Sequence, residues 1–371
     1  MMPVPIRPNV LQMEPYSPGK PISEVKRELG LDRVVKLASN ENPLGPSPKA
    51  VAALQMAAQG ANSYPDGAAH DFRETVSAKF GVPYSQIVVG NGSDELIHLL
   101  GLVFLDGPDD EVIVGHPSFV RYDAAAFLAG SKLVRVPLDG EYRHDLAAML
   151  SAVTPRTKLL FIANPNNPTG TLVTKDSVEV LLENLPDHVT VILDEAYYEF
   201  AKDEPGYPSS TDYILAGRNV VGLRTLSKAY GLAGIRLGYG FAPPSIADAI
   251  NRAREPFNVN ALAQVAGVAA LGDDEHVRRT IENNRIGMKR IAQVLGGLGA
   301  HVVPSHANFV FADIGQPAGP VFQALLERGV IVRSGEMFGT PTCIRVSVGT
   351  EEENEIFAKA IEEVLQRPVP A

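Results

Sequence analysis

Lys228 and Arg236 are the residues of this chain whose types and spacing are best suited to chemistry. They lie eight positions apart in an apolar, glycine-rich segment that begins with Ser227. A lysine at the end of a strand can form a Schiff base with an aldehyde, and an arginine one loop away can bind a phosphate. Pyridoxal phosphate carries both groups, so the segment indicates an enzyme that uses this cofactor. Taken alone, a Ser-Lys pair is also typical of an ordinary exposed strand–helix junction.

Two further polar segments each follow a predicted strand. The segment 90–95 opens a predicted helix, whose free amides and positive dipole end could hold a phosphate. An ordinary turn capped by Ser93 or Asp94 explains the same residues. The segment 164–170 contains two Asn-Pro pairs and a final glycine, which would either aim the Asn167 amide rigidly into a site or form a structural turn.

Four more side chains have both a chemical and a structural interpretation. Asp194 ends a buried strand, where a carboxylate needs a cationic partner such as a protonated pyridine nitrogen or a neighbouring Arg or Lys. Phe119 begins a predicted helix and could stack on a flat ring or belong to the core. Arg333 and Arg345 emerge from apolar runs, which favours either bidentate binding of an anionic substrate group or structural ion pairs.

The elements that must position these residues alternate between strands and helices. Continuously apolar strands separated by helices predict an α/β fold with a parallel sheet that is buried on both faces. Ligands of such sheets bind at the carboxyl ends of the strands, where every polar segment named above is expected. The predicted strands are 86–89, 111–114, 132–137, 158–162, 189–193, 220–224 and 237–241, and the main helices are 47–59, 71–80, 94–105, 119–129 and 175–185.

The pattern predicts three parts along the chain. Residues 1–35 are rich in proline and predict an N-terminal arm with a short helix over 24–29, capped by Ser23. Residues 36–258 form the large domain with the seven-stranded sheet. Residues 259–371 predict a smaller α+β domain. Its expected elements are a helix over 275–295, strands within 301–311, 330–332 and 344–348, and a last helix over 351–365.

Composition excludes several classes of protein. The 43 acidic and 33 basic residues give a formal net charge of −10, which argues against broad binding of nucleic acid or acidic membranes. A single cysteine cannot form an intrachain disulfide, and the sequence has no Cys/His cluster typical of a metal site. No segment has the apolar length of a membrane span or a signal core. We therefore expect a cytoplasmic protein.

Taken together, these residues resemble the fold-type I pyridoxal-phosphate-dependent aminotransferases, and within them the histidinol-phosphate aminotransferases. The order and spacing of Asn167, Asp194, Lys228 and Arg236 match that family. The resemblance covers nearly the whole chain and implies a mostly parallel seven-stranded sheet flanked by helices, plus a smaller α+β domain. The other segments that carry it are 15–21, 37–43, 64–67, 258–260 and 344–350.

The resemblance implies roles for the residues around the cofactor ring. Lys228 would form the Schiff base and later shuttle a proton between substrate and cofactor. Asp194 would keep the pyridine nitrogen protonated, while Tyr197 and Asn167 would hydrogen-bond the phenolic oxygen of the ring. Phe119 would stack on the ring face at a position where many relatives carry tyrosine.

The same resemblance implies how the cofactor phosphate is held. The backbone amides of Ser93 and Asp94, the Ser227 hydroxyl and Arg236 would bind it. Tyr64 would reach the phosphate in the neighbouring subunit, which implies a homodimer with shared active sites. The N-terminal arm would pack on the small domain and on the partner subunit.

Substrate recognition is implied less directly. Arg345 resembles the arginine with which the family binds a carboxylate or phosphate, and Arg333 lies near it in the predicted sheet. Tyr16 would close over the pocket from the arm, and Asn42 and Asn167 complete the expected substrate contacts. Glutamate and histidinol phosphate both present an anion, so one arginine could serve both half-reactions.

The expected activity is transamination of L-histidinol phosphate with 2-oxoglutarate in histidine biosynthesis. An aromatic amino-acid aminotransferase of the same lineage is the nearest alternative, because an imidazole pocket can also accept a phenyl ring. A decarboxylase of an amino-acid phosphate on the same scaffold is a second alternative. A noncatalytic cofactor-binding module of a transcription regulator is a third, although the chain has no appended basic helix-turn-helix region.

Overall fold

The computed structural model of the chain describes residues 5–11, 13 and 20–366, and Tyr16 lies outside them. The strands are β1 (Val35–Lys36), β2 (Ile87–Gly90), β3 (Glu111–His116), β4 (Lys132–Pro137), β5 (Thr157–Ala163), β6 (Thr190–Asp194), β7 (Val220–Thr225), β8 (Gly238–Phe241), β9 (His301–Val303), β10 (Phe309–Asp313), β11 (Val330–Ile331), β12 (Arg333–Ser334) and β13 (Cys343–Ser347). The α-helices are α1 (Pro8–Leu11), α2 (Ile22–Leu29), α3 (Pro48–Ala57), α4 (His70–Phe80), α5 (Ser93–Phe104), α6 (Val120–Ala129), α7 (Leu146–Ser151), α8 (Lys175–Asn184), α9 (Tyr198–Ala201), α10 (Ser210–Leu215), α11 (Pro244–Ala253), α12 (Ala261–Leu271), α13 (Asp274–Gly297), α14 (Ala318–Glu327) and α15 (Glu351–Gln366).

Within the described residues, the main sheet has seven strands in the order β2-β8-β7-β6-β5-β3-β4. Strand β8 is antiparallel to both neighbours, and the other pairs are parallel. Every residue of β6 and β7 is buried, as expected for central strands covered by helices on both faces. The predicted α/β class and mostly parallel seven-stranded sheet are therefore confirmed.

A second sheet is antiparallel, with the order β12-β13-β10-β9. Its apolar face packs with residues of α13, α14 and α15 in a separate hydrophobic cluster. Strand β1 joins this region, because Val35 and Lys36 pair in parallel with Val330 and Ile331 of β11. In the chain that follows β1, Asn40 hydrogen-bonds both Tyr197, just after β6 of the main sheet, and Ser347 of β13, so this segment lies between the two sheets. The division at residues 35 and 258 stays a prediction.

The observed elements differ from the predicted ones at several places. Helix α2 begins at Ile22 with Pro21 at its N-cap, so the predicted cap by Ser23 is wrong. The predicted strand run over 301–311 divides into β9 and β10, which pair antiparallel around an intervening turn. Helix α12 was not predicted, because its sequence is apolar or small nearly all round and has no amphipathic period.

The topology brings five strand ends to one edge. The carboxyl ends of β2, β3, β5, β6 and β7 lie together, and Gly238 at the start of β8 pairs with both Gly90 and Thr225. The expectation that all polar segments share one edge is confirmed. In the part of the chain that the structure describes, no helix is both long and apolar enough to cross a membrane.

Candidate active site

Lys228 lies just beyond the end of β7, in the connection to β8. Its half-buried side chain donates from Nζ to the Ser39 carbonyl at 3.3 Å and lies 5.8 Å from the centroid of the Tyr197 ring. Burial lowers the pKa of Lys228 to about 8, and the positive charge of Arg345 acts in the same direction. This amine therefore loses its proton at a lower pH than an ordinary lysine, and the uncharged form is the one that acts as a nucleophile.

Asp194 is the last residue of β6 and is buried. Its Oδ1 accepts a hydrogen bond from the Ala196 amide at 3.1 Å, and its Oδ2 accepts one from the Tyr122 hydroxyl at 2.7 Å. Burial raises the pKa of Asp194 to about 6 in spite of both donors. A cationic partner in the cleft would lower the cost of keeping this carboxylate ionised, so the site fits a protonated pyridine nitrogen.

The start of α5 and Arg236 form a small cradle at the same edge. Arg236 Nη2 contacts Asp94 Oδ2 at 3.2 Å, and Gly92, with φ of +77°, allows the guanidinium to lie against the turn. A Cβ on Gly92 would overlap Arg236, and a Cβ on Gly238 would overlap the backbone nitrogen of Ser93. Free amides at a helix N-terminus beside an arginine are suited to a phosphate, so the cradle fits that of pyridoxal phosphate.

A cavity of about 180 Å³ joins the amine, the carboxylate and the cradle. Pyridoxal phosphate has its aldehyde, ring nitrogen and phosphate on one small ring, and the cavity offers a matching group for each. The expected cofactor contacts of this chain, Tyr64 excepted, all line it. They are Ser93, Asp94, Phe119, Asn167, Asp194, Tyr197, Ser227, Lys228 and Arg236.

The two predicted arginines lie in an adjoining cavity that shares Phe119, Asn167 and Lys228 with the first. Arg333 and Arg345 are register partners on β12 and β13. Arg345 is buried and donates to Asn167 Oδ1 at 2.5 Å and to the Ala38 carbonyl at 2.7 Å. Arg333 donates to the same carbonyl at 3.3 Å. Two neighbouring cations beside the amine favour an anionic substrate group here.

Two predicted contacts are not brought into the cleft of their own chain. Asn42 lines neither cavity; its Nδ2 donates at 2.9 Å to the Ala229 carbonyl and to Thr280 Oγ1, so it supports the backbone beside Lys228. Tyr64 is 84% exposed and stacks on Phe257 with 4.8 Å between ring centroids. Tyr16 lies outside the residues that the structure describes.

Sequence reasoning missed two polar residues of the site. Tyr122 binds Asp194, and the signal was its position three residues after Phe119 on a predicted helix, which places both on one face. Asn40 donates from Nδ2 to the Tyr197 hydroxyl at 2.9 Å, and its Oδ1 accepts from Ser347 Oγ at 2.7 Å. The sequence offered Asn40 and Asn42 in the same segment without indicating which faces the cleft.

Comparison with known proteins agrees with this geometry. Residues 32–361 match the family model "Aminotransferase class I and II". The chain is 49% identical to histidinol-phosphate aminotransferase of Moorella thermoacetica, with 97% of this chain and 92% of the relative covered. It is 47% identical to that of Akkermansia muciniphila, over 96% of this chain and 98% of the relative.

Solved structures give the same result. The crystal structure of histidinol-phosphate aminotransferase from Sinorhizobium meliloti in complex with pyridoxal-5'-phosphate superposes with a TM-score of 0.89 at 27% identity, covering 98% of both chains. Aspartate aminotransferase from Thermus thermophilus with maleate gives a TM-score of 0.83 at 26% identity, over 97% of this chain and 99% of that one. This chain belongs to the class I and II aminotransferases, and its cofactor is pyridoxal phosphate.

Proposed function

We propose that the chain transfers the amino group of L-histidinol phosphate to 2-oxoglutarate, giving imidazole-acetol phosphate and L-glutamate, a step of histidine biosynthesis. The observation that carries the proposal is the pair Arg333 and Arg345 in the cavity that also contains Lys228. A phosphate monoester carries up to two negative charges, which suits two adjacent guanidinium groups. Relatives that are 43% to 49% identical over nearly the full length carry this activity in their names.

Different residues of the proposed active site have different chemical roles. Pyridoxal phosphate, when bound, supplies the reactive aldehyde and an electron-accepting ring. Lys228 would hold the cofactor through its aldehyde carbon and, once the substrate amine has replaced it there, its free amine would carry the proton from the amine-bearing carbon of the substrate to that aldehyde carbon. Asp194 holds the positive charge on the ring nitrogen, and Tyr197 and Asn167 orient the phenolic oxygen.

One anion site can serve both half-reactions. Histidinol phosphate presents a phosphate, whereas glutamate and 2-oxoglutarate present carboxylates, and a guanidinium binds either group through two parallel hydrogen bonds. Arg345 is fixed for this task by Asn167 Oδ1 and the Ala38 carbonyl, so little side-chain entropy is lost when the substrate binds. Its charge also helps to keep the Lys228 pKa low.

We propose further that the enzyme is a homodimer that shares its active sites. The exposed stack of Tyr64 on Phe257 supports this, because an isolated aromatic pair at the surface is suited to burial against a second copy. Tyr64 would then contact the cofactor phosphate of the partner subunit. We place the boundaries of the arm and the two domains at residues 35 and 258, with the arm on the small domain and the partner, and the site of action in the cytoplasm.

An aromatic amino-acid aminotransferase is the alternative that a specific observation favours. Phe119, Met337 and Phe338 line the cavity of the two arginines, and an apolar wall of this kind would accept a phenyl ring. The α-carboxylate of the aromatic amino acid would then bind Arg345. The two functions differ in whether a phosphate group contributes to recognition.

A panel of amino donors with 2-oxoglutarate distinguishes these functions. The proposal predicts the highest kcat/KM for L-histidinol phosphate, with glutamate formed in equal amount and no carbon dioxide released. A higher kcat/KM for phenylalanine would contradict it in favour of the aromatic enzyme. Release of carbon dioxide without an oxo acid would indicate the decarboxylase, and Lys228→Ala serves as the inactive control.

A further inference from the structure

The side chain of Tyr122 contacts two residues of the proposed cofactor site, Asp194 and Phe119. Tyr122 lies on the first turn of α6, is 1% exposed, and donates its hydroxyl hydrogen to Asp194 Oδ2 at 2.7 Å. Its ring stacks on Phe161 with 4.6 Å between centroids and meets Phe119 edge-on at 5.7 Å. The residue proposed to face the cofactor ring and the residue that binds its nitrogen therefore share one buried neighbour.

Packing fixes where the hydroxyl can be. The ring of Tyr122 is held on one face by Phe161, which is fully buried in β5, and at its edge by Phe119. A tyrosine has only two side-chain torsions, so a trapped ring leaves its hydroxyl oxygen at a single place. That place lies within hydrogen-bond distance of the carboxylate at the end of β6.

The charge of Asp194 strengthens the hydrogen bond that Tyr122 donates to it. Asp194 is buried and accepts hydrogen bonds from the Ala196 amide at 3.1 Å and, over the shorter distance of 2.7 Å, from the Tyr122 hydroxyl. Burial, with the negative charge of Asp194 next in importance, holds the pKa of the Tyr122 hydroxyl well above its usual range, so this group remains a donor. A donor to an ionised acceptor is worth more than one between neutral groups.

We infer that Tyr122 is a positioning residue, whose hydroxyl holds the Asp194 carboxylate ionised and in place as the partner of the cofactor's ring nitrogen. The role is independent of which amino donor the enzyme uses. It makes a selective prediction: loss of the hydroxyl weakens binding of a cofactor that has a ring nitrogen, and leaves binding of a cofactor without that nitrogen unchanged.

The test compares two cofactors on cofactor-free enzyme. Wild type and Tyr122→Phe are titrated with pyridoxal phosphate and with deazapyridoxal phosphate, in which C–H replaces the ring nitrogen, and binding is followed by absorbance. The variant keeps both ring contacts and loses the donor to Asp194. We expect its affinity for pyridoxal phosphate to fall about tenfold to a hundredfold, and its affinity for the deaza compound to change less than about threefold.

Controls separate positioning from packing. Tyr213→Phe removes another buried hydroxyl, one without a hydrogen-bond partner in the described residues, and should change neither affinity. In an Asp194→Asn background, adding Tyr122→Phe should no longer change the affinity for pyridoxal phosphate. Because the ratio of the two affinities is measured on folded protein alone, a partly unfolded variant still gives an answer. Equal losses for both cofactors, or no loss for either, would overturn the inference.

Discussion

Replacement of Arg345 by glutamine tests how the substrate anion is bound. The guanidinium is buried, donates to Asn167 Oδ1 at 2.5 Å and to the Ala38 carbonyl at 2.7 Å, and its Cζ lies 5.2 Å from the Phe309 ring centroid. Truncating one partner of a buried, hydrogen-bonded charge pair costs about 2 to 5 kcal/mol. For Arg345→Gln we therefore expect kcat/KM for L-histidinol phosphate to fall about 30-fold to several-thousand-fold.

The assay uses two donors that differ only in the phosphate. L-Histidinol phosphate and L-histidinol each react in a single turnover with enzyme already loaded with pyridoxal phosphate, and the change in cofactor absorbance gives the rate. Because no oxo acid is present, the role of Arg345 toward 2-oxoglutarate does not enter. We expect the variant to lose most of its preference for the phosphate ester and to react with L-histidinol at a rate within about tenfold of wild type.

A matched control is Arg252→Gln, since that arginine is 78% exposed and pairs with Asp248 at the surface. It should leave both rates unchanged, because an exposed, solvent-screened pair contributes little to stability and Arg252 lies outside the cleft. Equal loss of rate with both donors in Arg345→Gln would show that the arginine supports the fold of the site without binding phosphate. Full retention of the preference would refute the anion-site argument itself.

The remaining predictions concern the cradle, the amine and the buried ion pair. Gly238→Ala should weaken binding of pyridoxal phosphate by about tenfold or more in an absorbance titration, because the added Cβ would overlap the backbone nitrogen of Ser93 in the cradle. Gly234→Ala should not weaken binding, because a Cβ at that position has free space. Amine-selective labelling of Lys228 in cofactor-free enzyme should rise with pH through a midpoint near pH 8. Burial lowers the pKa of this lysine to that value, and the reactive neutral amine predominates above it. A midpoint above pH 10 would contradict the argument that burial lowers the pKa. Glu195→Gln should reduce the free energy of unfolding in urea by about 3 to 5 kcal/mol, because its fully buried partner Arg224 at 2.8 Å would keep an uncompensated charge. Arg252→Gln, which removes an exposed pair, should leave the free energy of unfolding nearly unchanged. Equal midpoints in urea for these last two variants would contradict the assigned burial.

The main sheet could be predicted because its signals are local. Strands such as β6 and β7 are buried throughout and consist mostly of consecutive apolar residues without a polar alternation, as expected for a position covered on both faces. Residues at a strand end or in the loop after it, such as Asp194 and Asn167, then lie at the edge of the sheet that forms the site. Parallel pairing alone brings them together.

What could not be predicted depends on contacts that are distant in sequence. Asn40 and Asn42 lie two positions apart, yet one reaches Tyr197 and the other Thr280, because the local backbone takes φ of +54° at Asn40. Tyr122 joins Asp194 across 72 positions, and no local pattern encodes that bond. Helix α12 is missed for another reason, since alanine and glycine pack closely on α3 without producing an amphipathic period.

Borohydride reduction of the purified enzyme with pyridoxal phosphate tests the central claim, that the Lys228 amine bonds the cofactor. Reduction makes that link permanent, and mass spectrometry of the digested protein then locates it. We predict one modified peptide, which contains Lys228, and none in Lys228→Ala treated in the same way. Modification of a different lysine, or an unmodified Lys228 in active wild-type enzyme, would contradict the account.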